Sequence, residues 1–446
     1  MTPTRRPVRL LPLALAAALL AGSAHAQSLL ELYESARGYD AAWQSAKAQY
    51  DANVYGAEQA RAGLLPSAGL SAGASRSQFT NVTPDIKRGI TSQNATLSAV
   101  QPLYRPANLA AYRQGERQAE VAQSQLTAAT QDLIVRVSQA YFDVLAAQDT
   151  LTFVRAQKAA TSEQLASAKR NFEVGTATIT DTREAQARFD LVVAQEIAAE
   201  NDLRVKKLAL DSVTGRSNAQ PVPVATTALP GPQPADVEAW VTQSETASPS
   251  VQQARLGLEI AQLETEKARA GHKPTLDLVA SWSANRYPDG STTIGGSTRN
   301  DTSTIGLQFN LPLFAGFATQ NRVRQTLSLE EKAQADLDNA RRTVAQATRS
   351  AYLGLVSGQG QVKALEAAEA SSQSALEANQ LGYQVGVRIN IDVLNAQSQL
   401  YQTKRDLAQA RYNVLLGQLR LKQANGTLAP DDLAQLSQRI SPAAKP

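Results

Sequence analysis

The sequence contains one internal duplication, and this feature limits the possible folds more than any other. Related segments recur in the same order at offsets of 208 to 211 residues: ARAGLLPSAGL with ARAGHKPTLDL, QPLYRP with LPLFAG, AYFDVLAAQD with AYLGLVSGQG, and FEVGTATITD with YQVGVRINID. A constant order with an almost constant offset indicates two copies of one structural unit. The chain therefore divides into an N-terminal segment 1–26, a first repeat 27–215, a proline-rich linker 216–240, a second repeat 241–426 and a tail 427–446.

Most of each repeat is a long stretch without proline. Residues 107–220 and residues 313–429 contain none, and each stretch is broken once at a Val-Gly pair, where Gly175 and Gly386 let the chain reverse. A helix of about 65 residues reaches roughly 100 Å at ~1.5 Å per residue. The pattern predicts two long antiparallel helical hairpins, at about 106–215 and about 318–426.

A heptad pattern follows the break in the second repeat. One seam position is large and apolar and the other is mostly small: Val393, Leu400, Leu407, Val414 and Leu421, interleaved with Ala396, Thr403, Ala410, Gly417 and Ala424. Small seam residues allow close approach of two helices. The first repeat keeps the period less cleanly, with Glu196 and Lys206 at seam positions. The helices alone are also compatible with a soluble coiled-coil spacer.

Each repeat also holds a pair of segments with strand-like alternation, at about 66–104 and about 274–314. In the last of them, apolar residues alternate with polar or small ones: Ile305, Leu307, Phe309, Leu311 and Leu313 against Thr304, Gly306, Gln308 and Asn310. Strands with an apolar outer face and a long polar loop are typical of transmembrane β-barrels. One such strand would equally fit a soluble sandwich, but four beside two helical hairpins leave no soluble core to cover.

The number of strands predicts an oligomer. Four strands cannot close a barrel, which needs about eight, and a bilayer does not tolerate open sheet edges. Several copies must therefore contribute to one barrel of eight, twelve or sixteen strands.

Residues 1–26 predict an export signal. Three arginines, Arg5, Arg6 and Arg9, precede the apolar run LLPLALAAALLAG and the small residues AHA, so we expect the mature chain to begin near Gln27 in a bacterial envelope.

The composition argues against several kinds of function. Without the signal no Cys or Met remains and His272 is the single histidine, so we expect no disulfide, no metal site and no Ser-His-Asp or Cys-His catalytic site. After loss of the three signal arginines, 41 of the 44 basic residues remain against 40 acidic ones. Basic runs interleaved with aromatic residues are missing, which argues against nucleic-acid binding.

The sequence resembles the TolC-type outer-membrane efflux and secretion channels. The features that carry this resemblance in combination are the duplicated unit, the segments AYFDVLAAQD and AYLGLVSGQG, the paired Val-Gly breaks, LPLFAGF and NAQSQLYQTKRDLAQARYNVL. The resemblance covers about residues 28–436. It implies an α+β membrane protein of a Gram-negative outer membrane. Three chains would form a 12-stranded β-barrel, with four strands from each protomer, continuous with a long α-helical coiled-coil barrel in the periplasm. The linker and the tail would contribute to an equatorial region.

The same resemblance implies an exit duct and not an enzyme, without a cofactor. The duct would work as a homotrimer with a periplasmic adaptor (membrane fusion protein) and an inner-membrane transporter of the ABC, RND or MFS type. It would export drugs, other small molecules or proteins.

The resemblance also implies a gate at the periplasmic hairpin tips. It points to Tyr383 and Arg388 in the second break and to Thr180 and Asp181 beyond the first, with Arg388 and Asp181 as the expected ion pair.

Asp392 matches a family position at which a ring of carboxylates, one from each protomer, narrows the lumen and selects cations. Asn395 stands where some relatives carry a second acid. This departure halves the expected ring charge and predicts weaker binding of multivalent cations.

Two hypotheses of other classes remain. A periplasmic coiled-coil adaptor without a pore would explain the hairpins but not the four alternating strands. An envelope hydrolase would need a nucleophile and base that the sequence does not suggest. The exported cargo and the identity of the transporter are not encoded in any motif.

Overall fold

The computed structural model describes residues 27–82, 85–224, 229, 231–291 and 294–440. The predicted export signal lies outside the described residues. The chain forms two compact units, each of which draws on both repeats. Unit 1 comprises the residues up to Gln44, Thr130–Trp240 and those from Ala347 onward; unit 2 comprises Ser45–Ala129 and Val241–Gln346.

Long helices and four strands account for most of the described chain. The helices are α1 Leu29–Tyr39, α2 Ala41–Arg61, α3 Pro106–Glu173, α4 Ile179–Thr214, α5 Val237–Ala247, α6 Pro249–Ala270, α7 Ala318–Gln384, α8 Asn390–Asn425 and α9 Pro430–Ile440. The strands are β1 Ser67–Val82, β2 Asp85–Tyr104, β3 Thr275–Tyr287 and β4 Thr298–Asn310.

The two repeats contain matching helices. Helices α3 and α7 have 68 and 67 residues, and α4 and α8 have 36 residues each. Each long helix ends at the predicted Val-Gly break, and the next helix begins within six residues. The two predicted helical hairpins are therefore present.

The sheet lies in unit 2 and runs in the order β1-β2-β3-β4, with every neighbouring pair antiparallel. Strand β2 belongs to the first repeat and β3 to the second, so their pairing joins the two repeats in one sheet. Among the strands of the described residues, β1 and β4 each have one edge without a partner strand.

Strand β4 is shorter than the sequence pattern suggests. It ends at Asn310, opposite Thr275, so Leu311 and Leu313 lie beyond the ladder. Pro312 has no N–H to donate to a neighbouring strand, and β3 itself begins directly after Pro274. The apolar alternation that continues to Leu313 therefore overestimated the strand.

The core of unit 1 follows the heptad seam. Val393, Leu400, Leu407, Val414 and Leu421 are all buried. Part of this seam packs against Leu355 and Val362 of α7 in a cluster that also includes Trp240. Gly417 occupies one of the small seam positions. The Leu355 side chain packs against it, within van der Waals distance of the point where a larger residue would have its Cβ. The seam predicted from the sequence is confirmed.

Ion pairs join α3 to α4 in the first hairpin. The Lys158 ammonium lies 2.6 Å from a carboxylate oxygen of Glu196. The Arg155 guanidinium lies 2.8 Å from Glu200, and the Lys206 ammonium 3.2 Å from Asp143. The charged residues that interrupt the heptad pattern of the first repeat are thus paired across the hairpin.

Candidate functional site at the hairpin tips

Both hairpin tips lie in unit 1 and use the same turn. Gly175 and Gly386 have φ values of +80° and +81°, the left-handed region that side chains with a Cβ rarely adopt. At the first tip, Gly175 N–H donates to Phe172 C=O and Thr176 N–H donates to Asn171 C=O. The second tip repeats both bonds at positions 211 residues later. This pattern is a Schellman motif, which satisfies the last carbonyl groups of α3 and α7.

At the first tip, Asp181 serves a local structural purpose. The Thr178 side chain accepts a hydrogen bond from the N–H of Asp181 at 3.2 Å, and the Asp181 carboxylate accepts one from the N–H of Thr178 at 2.9 Å. This reciprocal capping box satisfies two donors at the start of α4. Thr180 is exposed on the first turn of the same helix.

At the second tip, the equivalent aspartate is not used in this way. The residue at the cap position of α8 is Ile389, which makes no side-chain hydrogen bond to the helix. Asp392, equivalent to Asp181, instead lies 3.7 Å from the guanidinium of Arg388. Both side chains are partly exposed, so this pair contributes about 1 kcal/mol or less. One repeat position therefore holds a capping carboxylate in one copy and a carboxylate next to a cation in the other.

The two tips of one chain are connected through Asn390. Its side chain is fully buried, and its amide donates to the main-chain carbonyl of Asp181 at 3.3 Å. Its side-chain oxygen accepts a hydrogen bond from the Gln164 amide on α3. The sequence interpretation missed Asn390. Comparison of the two repeats could have identified it, because Asn390 is polar whereas the corresponding residue of the first repeat, Ile179, is apolar.

A second connection between the tips involves Tyr383. Its phenolic oxygen accepts a hydrogen bond from the Asn171 amide at 3.2 Å. Its ring packs against a buried cluster of Leu376, Val393 and Leu400. The structure thus brings Tyr383 of the second repeat next to the last turn of α3, while Arg388 is directed to Asp392 within its own tip.

The candidate constriction residues lie one turn apart on α8. Asp392 is partly buried and Asn395 is exposed. The side-chain oxygen of Asn395 accepts a hydrogen bond from the Arg188 guanidinium of α4 at 2.7 Å. Arg188 was not identified from the sequence. It places a positive charge beside the position at which some relatives are expected to carry the second acid.

Further along the hairpins, a partly buried polar pair joins α3 to α8. The Tyr412 hydroxyl donates to the Asp149 carboxylate at 2.7 Å, and the Tyr412 ring stacks on Phe142. Burial raises the pKa of Asp149, although the bond from Tyr412 acts in the opposite direction. Burial also raises the pKa of Tyr412, and the nearby carboxylate adds to this effect. The hydroxyl therefore remains a donor at every physiological pH.

Among the described residues, no group of three or more histidine, aspartate or glutamate side chains is arranged to hold a metal ion. The helices within the described ranges include none with the length and hydropathy required to cross a bilayer.

The model of the family described as outer membrane efflux protein matches residues 32–216 and 240–427. The chain belongs to this family. It is 34% identical over 441 residues to the outer membrane protein TolC of Vibrio cholerae serotype O1, a match that covers 98% of this chain and all of the relative. It is 33% identical to the proteases secretion protein PrtF of Dickeya chrysanthemi, with 94% of this chain and 92% of the relative covered.

A solved structure shows the same fold. The outer membrane protein VceC of Vibrio cholerae superposes with a TM-score of 0.76 at 20% sequence identity, and the match covers 89% of this chain and 96% of that one. The predicted fold class, that of the outer-membrane channels, is confirmed, and so are the family and the outer-membrane location. The protein is an exit duct of the outer membrane, and the alternative of a pore-less adaptor is set aside.

The repeat boundaries stay predictions. So do the roles of Asp181, Thr180, Tyr383 and Arg388 in gating, and those of Asp392 and Asn395 in ion selection.

Proposed function

We propose that three copies of this chain form one gated duct, which accepts cargo from an inner-membrane transporter through a periplasmic adaptor and releases it outside the cell. The observation that carries this proposal is the sheet of unit 2. One face is mostly apolar, the other is mostly polar, and the two edges have no partner strand among the described residues.

The apolar face follows directly from the strand register. Residues directly opposite each other on antiparallel strands share a face. The register therefore aligns Leu70 with Leu97 and Trp282, and Leu278 with Leu307. Ile305 and Phe309 of β4 lie on the same face and are 76% and 64% exposed. A large exposed apolar surface of this kind suits contact with lipid.

The opposite face is mostly polar, and the row of Val100, Val279 and Gly306 is its main exception. One row across the sheet consists of Asn94, Asn285 and Asn300, and another of Ser98, Ser281 and Thr304. Amide and hydroxyl groups are suited to a water-filled lumen. The alternation of the two faces along each strand therefore supports a pore lining on one side and a lipid contact on the other.

The free edges of β1 and β4 support the trimer. In a bilayer each unpaired N–H and C=O at these edges would cost several kcal/mol, so each edge must pair. Pairing β4 of one copy with β1 of the next in a closed ring of three gives twelve strands. A barrel of this size is wide enough for a lumen.

The gate lies at the tips because several weak contacts converge there. The Arg388–Asp392 pair is exposed and weak, while Asn390 and Tyr383 link the two hairpins of one chain. In the closed duct, Arg388 would pair with Asp181 on a neighbouring hairpin. Opening then requires the loss of several contacts, each of which contributes about 1 kcal/mol.

The transporter and adaptor select the cargo. The family is named for efflux, and PrtF is named for protease secretion. The chain itself offers a conduit and no catalytic step, so the energy for transport comes from the transporter. Transporters of the ABC, RND and MFS types are all candidates.

The experiment is reconstitution of the detergent-extracted protein in planar bilayers. We expect heat-sensitive trimers that conduct ions, and an adaptor and transporter that co-purify after cross-linking in cells. Ready solubility without detergent together with no conductance would contradict the proposal.

A further inference from the structure

Three arginines and a glutamine occupy neighbouring positions on the apolar face of the sheet, at the end opposite to the one where β3 and β4 connect to helices. The register places Arg286 of β3 directly opposite Arg299 of β4, with Gln93 of β2 on the other side of Arg286. Arg76 of β1 lies one row further out, and its guanidinium group lies beside Gly89. These residues, Arg76, Gln93, Arg286 and Arg299, are called the arginine row below.

Two arginines directly opposite each other are unfavourable in a sheet. Side chains at such positions lie about 5 Å apart at Cβ, and like charges there repel. Arg299 is partly compensated by Asp301, whose carboxylate lies 3.2 Å from its guanidinium. None of the ion pairs among the described residues involves Arg286 or Arg76. Asp289 adds a second carboxylate, because it accepts a hydrogen bond from Thr91, the residue directly opposite Arg76. The three arginines still exceed these two carboxylates by one positive charge, which an anion from outside the chain would neutralise.

The height of the arginine row matches the edge of a bilayer. The apolar rows begin at Leu276, opposite Phe309, and continue on β3 to Trp282. Ser303 and Asp301 occupy the same face of β4 beyond Ile305, and Arg286 lies ten residues after Leu276 on its strand. Ten residues span about 33 Å along a strand, which is roughly 25 Å along the membrane normal at the usual barrel tilt. This equals the height of the apolar band of outer-membrane barrels.

The side of the membrane follows from chain connectivity. Four residues separate the end of α6 from the start of β3, and β4 leads into α7, so the helices connect at the Leu276 end of the sheet. With the helices in the periplasm, the arginine row faces the outer leaflet. The faces of the sheet also remain free in a trimer that forms through the strand edges.

We propose that the arginine row binds the phosphate group of an anionic lipid in the outer leaflet. The planar guanidinium groups of Arg286 and Arg299 suit bidentate contact with phosphate oxygens, and Gln93 adds an amide donor. The acyl chains of the lipid then extend along Trp282, Ile305 and Leu307 below. This inference rests on the proposed function, because it requires the apolar face to lie in the outer membrane.

The test compares the wild-type protein with the double variant Arg286→Ala/Arg299→Ala. The control is Arg341→Ala/Arg342→Ala, which removes two exposed arginines from α7. Detergent-purified trimers are titrated with lipid A and with its fully dephosphorylated form, and retained lipid is counted by native mass spectrometry. We expect wild type and control to bind lipid A at least tenfold more tightly than the dephosphorylated lipid. The arginine-row variant should lose this preference.

Three results would overturn the inference. They are equal retention of both lipids by wild type, an unchanged preference in the arginine-row variant, and loss of lipid A binding on addition of millimolar inorganic phosphate. The last result would assign the site to a free anion.

Conductance in planar bilayers separates this test from the test of the duct. If the wild type does not insert and conduct, the proposed function fails. If wild type and both variants conduct but show no phosphate-dependent lipid preference, only the arginine-row site fails.

Discussion

Asn390 donates its side-chain amide to the main-chain carbonyl of Asp181 at 3.3 Å, and this bond joins the first turn of α8 to the first turn of α4. Asn390 is fully buried, and it also accepts a hydrogen bond from Gln164. The bond links the two repeats at the position where the duct is expected to close.

Replacement of Asn390 should loosen the tips. In Asn390→Ala, the Gln164 amide and the Asp181 carbonyl lose a buried partner, which costs about 1–3 kcal/mol. We expect a higher single-channel conductance or a greater open probability in planar bilayers, with trimers intact. Ile179→Ala is the matched control, since Ile179 occupies the same position in the first repeat and is half exposed. Equal conductance of Asn390→Ala and wild type would show that this bond does not restrain the gate.

The predicted Arg388–Asp181 pair can be separated from the capping role of Asp181. Both Arg388→Ala and Asp181→Ala should raise the conductance if the pair holds the duct closed. However, Asp181→Ala also removes the capping box of α4, a loss of about 1 kcal/mol. Thr178→Ala removes the same cap and keeps the carboxylate, so it should leave the conductance close to that of wild type. An opening effect of Thr178→Ala as large as that of Asp181→Ala would attribute the effect to the cap.

Ion selectivity should depend on Asp392 and on the Arg188–Asn395 contact. Asp392→Ala should weaken cation selectivity, measured as a smaller reversal potential in a salt gradient. Restoring a second acid with Asn395→Asp should have little effect by itself, because Arg188 lies 2.7 Å from this side chain and would pair with it. The double variant Asn395→Asp/Arg188→Gln should show clearly stronger cation selectivity and block by multivalent cations. Identical selectivity of the single and double variants would exclude Arg188 as the neutralising group.

Acid stability should depend on Asp40. The Arg136 guanidinium, which is hydrogen bonded to this carboxylate, holds the pKa of Asp40 below its ordinary value of 3.8. A lowered carboxyl pKa gives stability that is fully present above the unfolded-state pKa and is lost as the pH falls through the folded-state pKa. Asp40→Asn should therefore have a lower melting temperature than the wild type at pH 7. The difference between the two melting temperatures should become smaller below about pH 4. A constant gap from pH 7 to pH 3 would contradict this assignment.

Much of the architecture could be predicted from local patterns. The turns at Gly175 and Gly386, the heptad seam from Val393 to Leu421 and the four strands each arise from short-range regularities in backbone conformation and hydrophobic spacing. The apolar alternation predicts that β4 continues to Leu313, but the strand ends at Asn310. Alternation does not reveal that Pro312 cannot extend the hydrogen-bonded ladder.

The contacts between the repeats could not be predicted in the same way. Asp181 and Asp392 occupy one repeat position, yet the first caps a helix and the second lies beside Arg388. The bond from Asn390 to Asp181 and the bond from Arg188 to Asn395 span more than 200 residues of sequence.

The sequence by itself thus determined the duplicated unit, the element order and the two hairpin turns, because periodicity and turn chemistry act over a few residues. Only the tertiary structure decided how the two tips differ and where the arginine row lies. These features depend on helix packing and strand register, which bring distant side chains within hydrogen-bond or cross-strand distance.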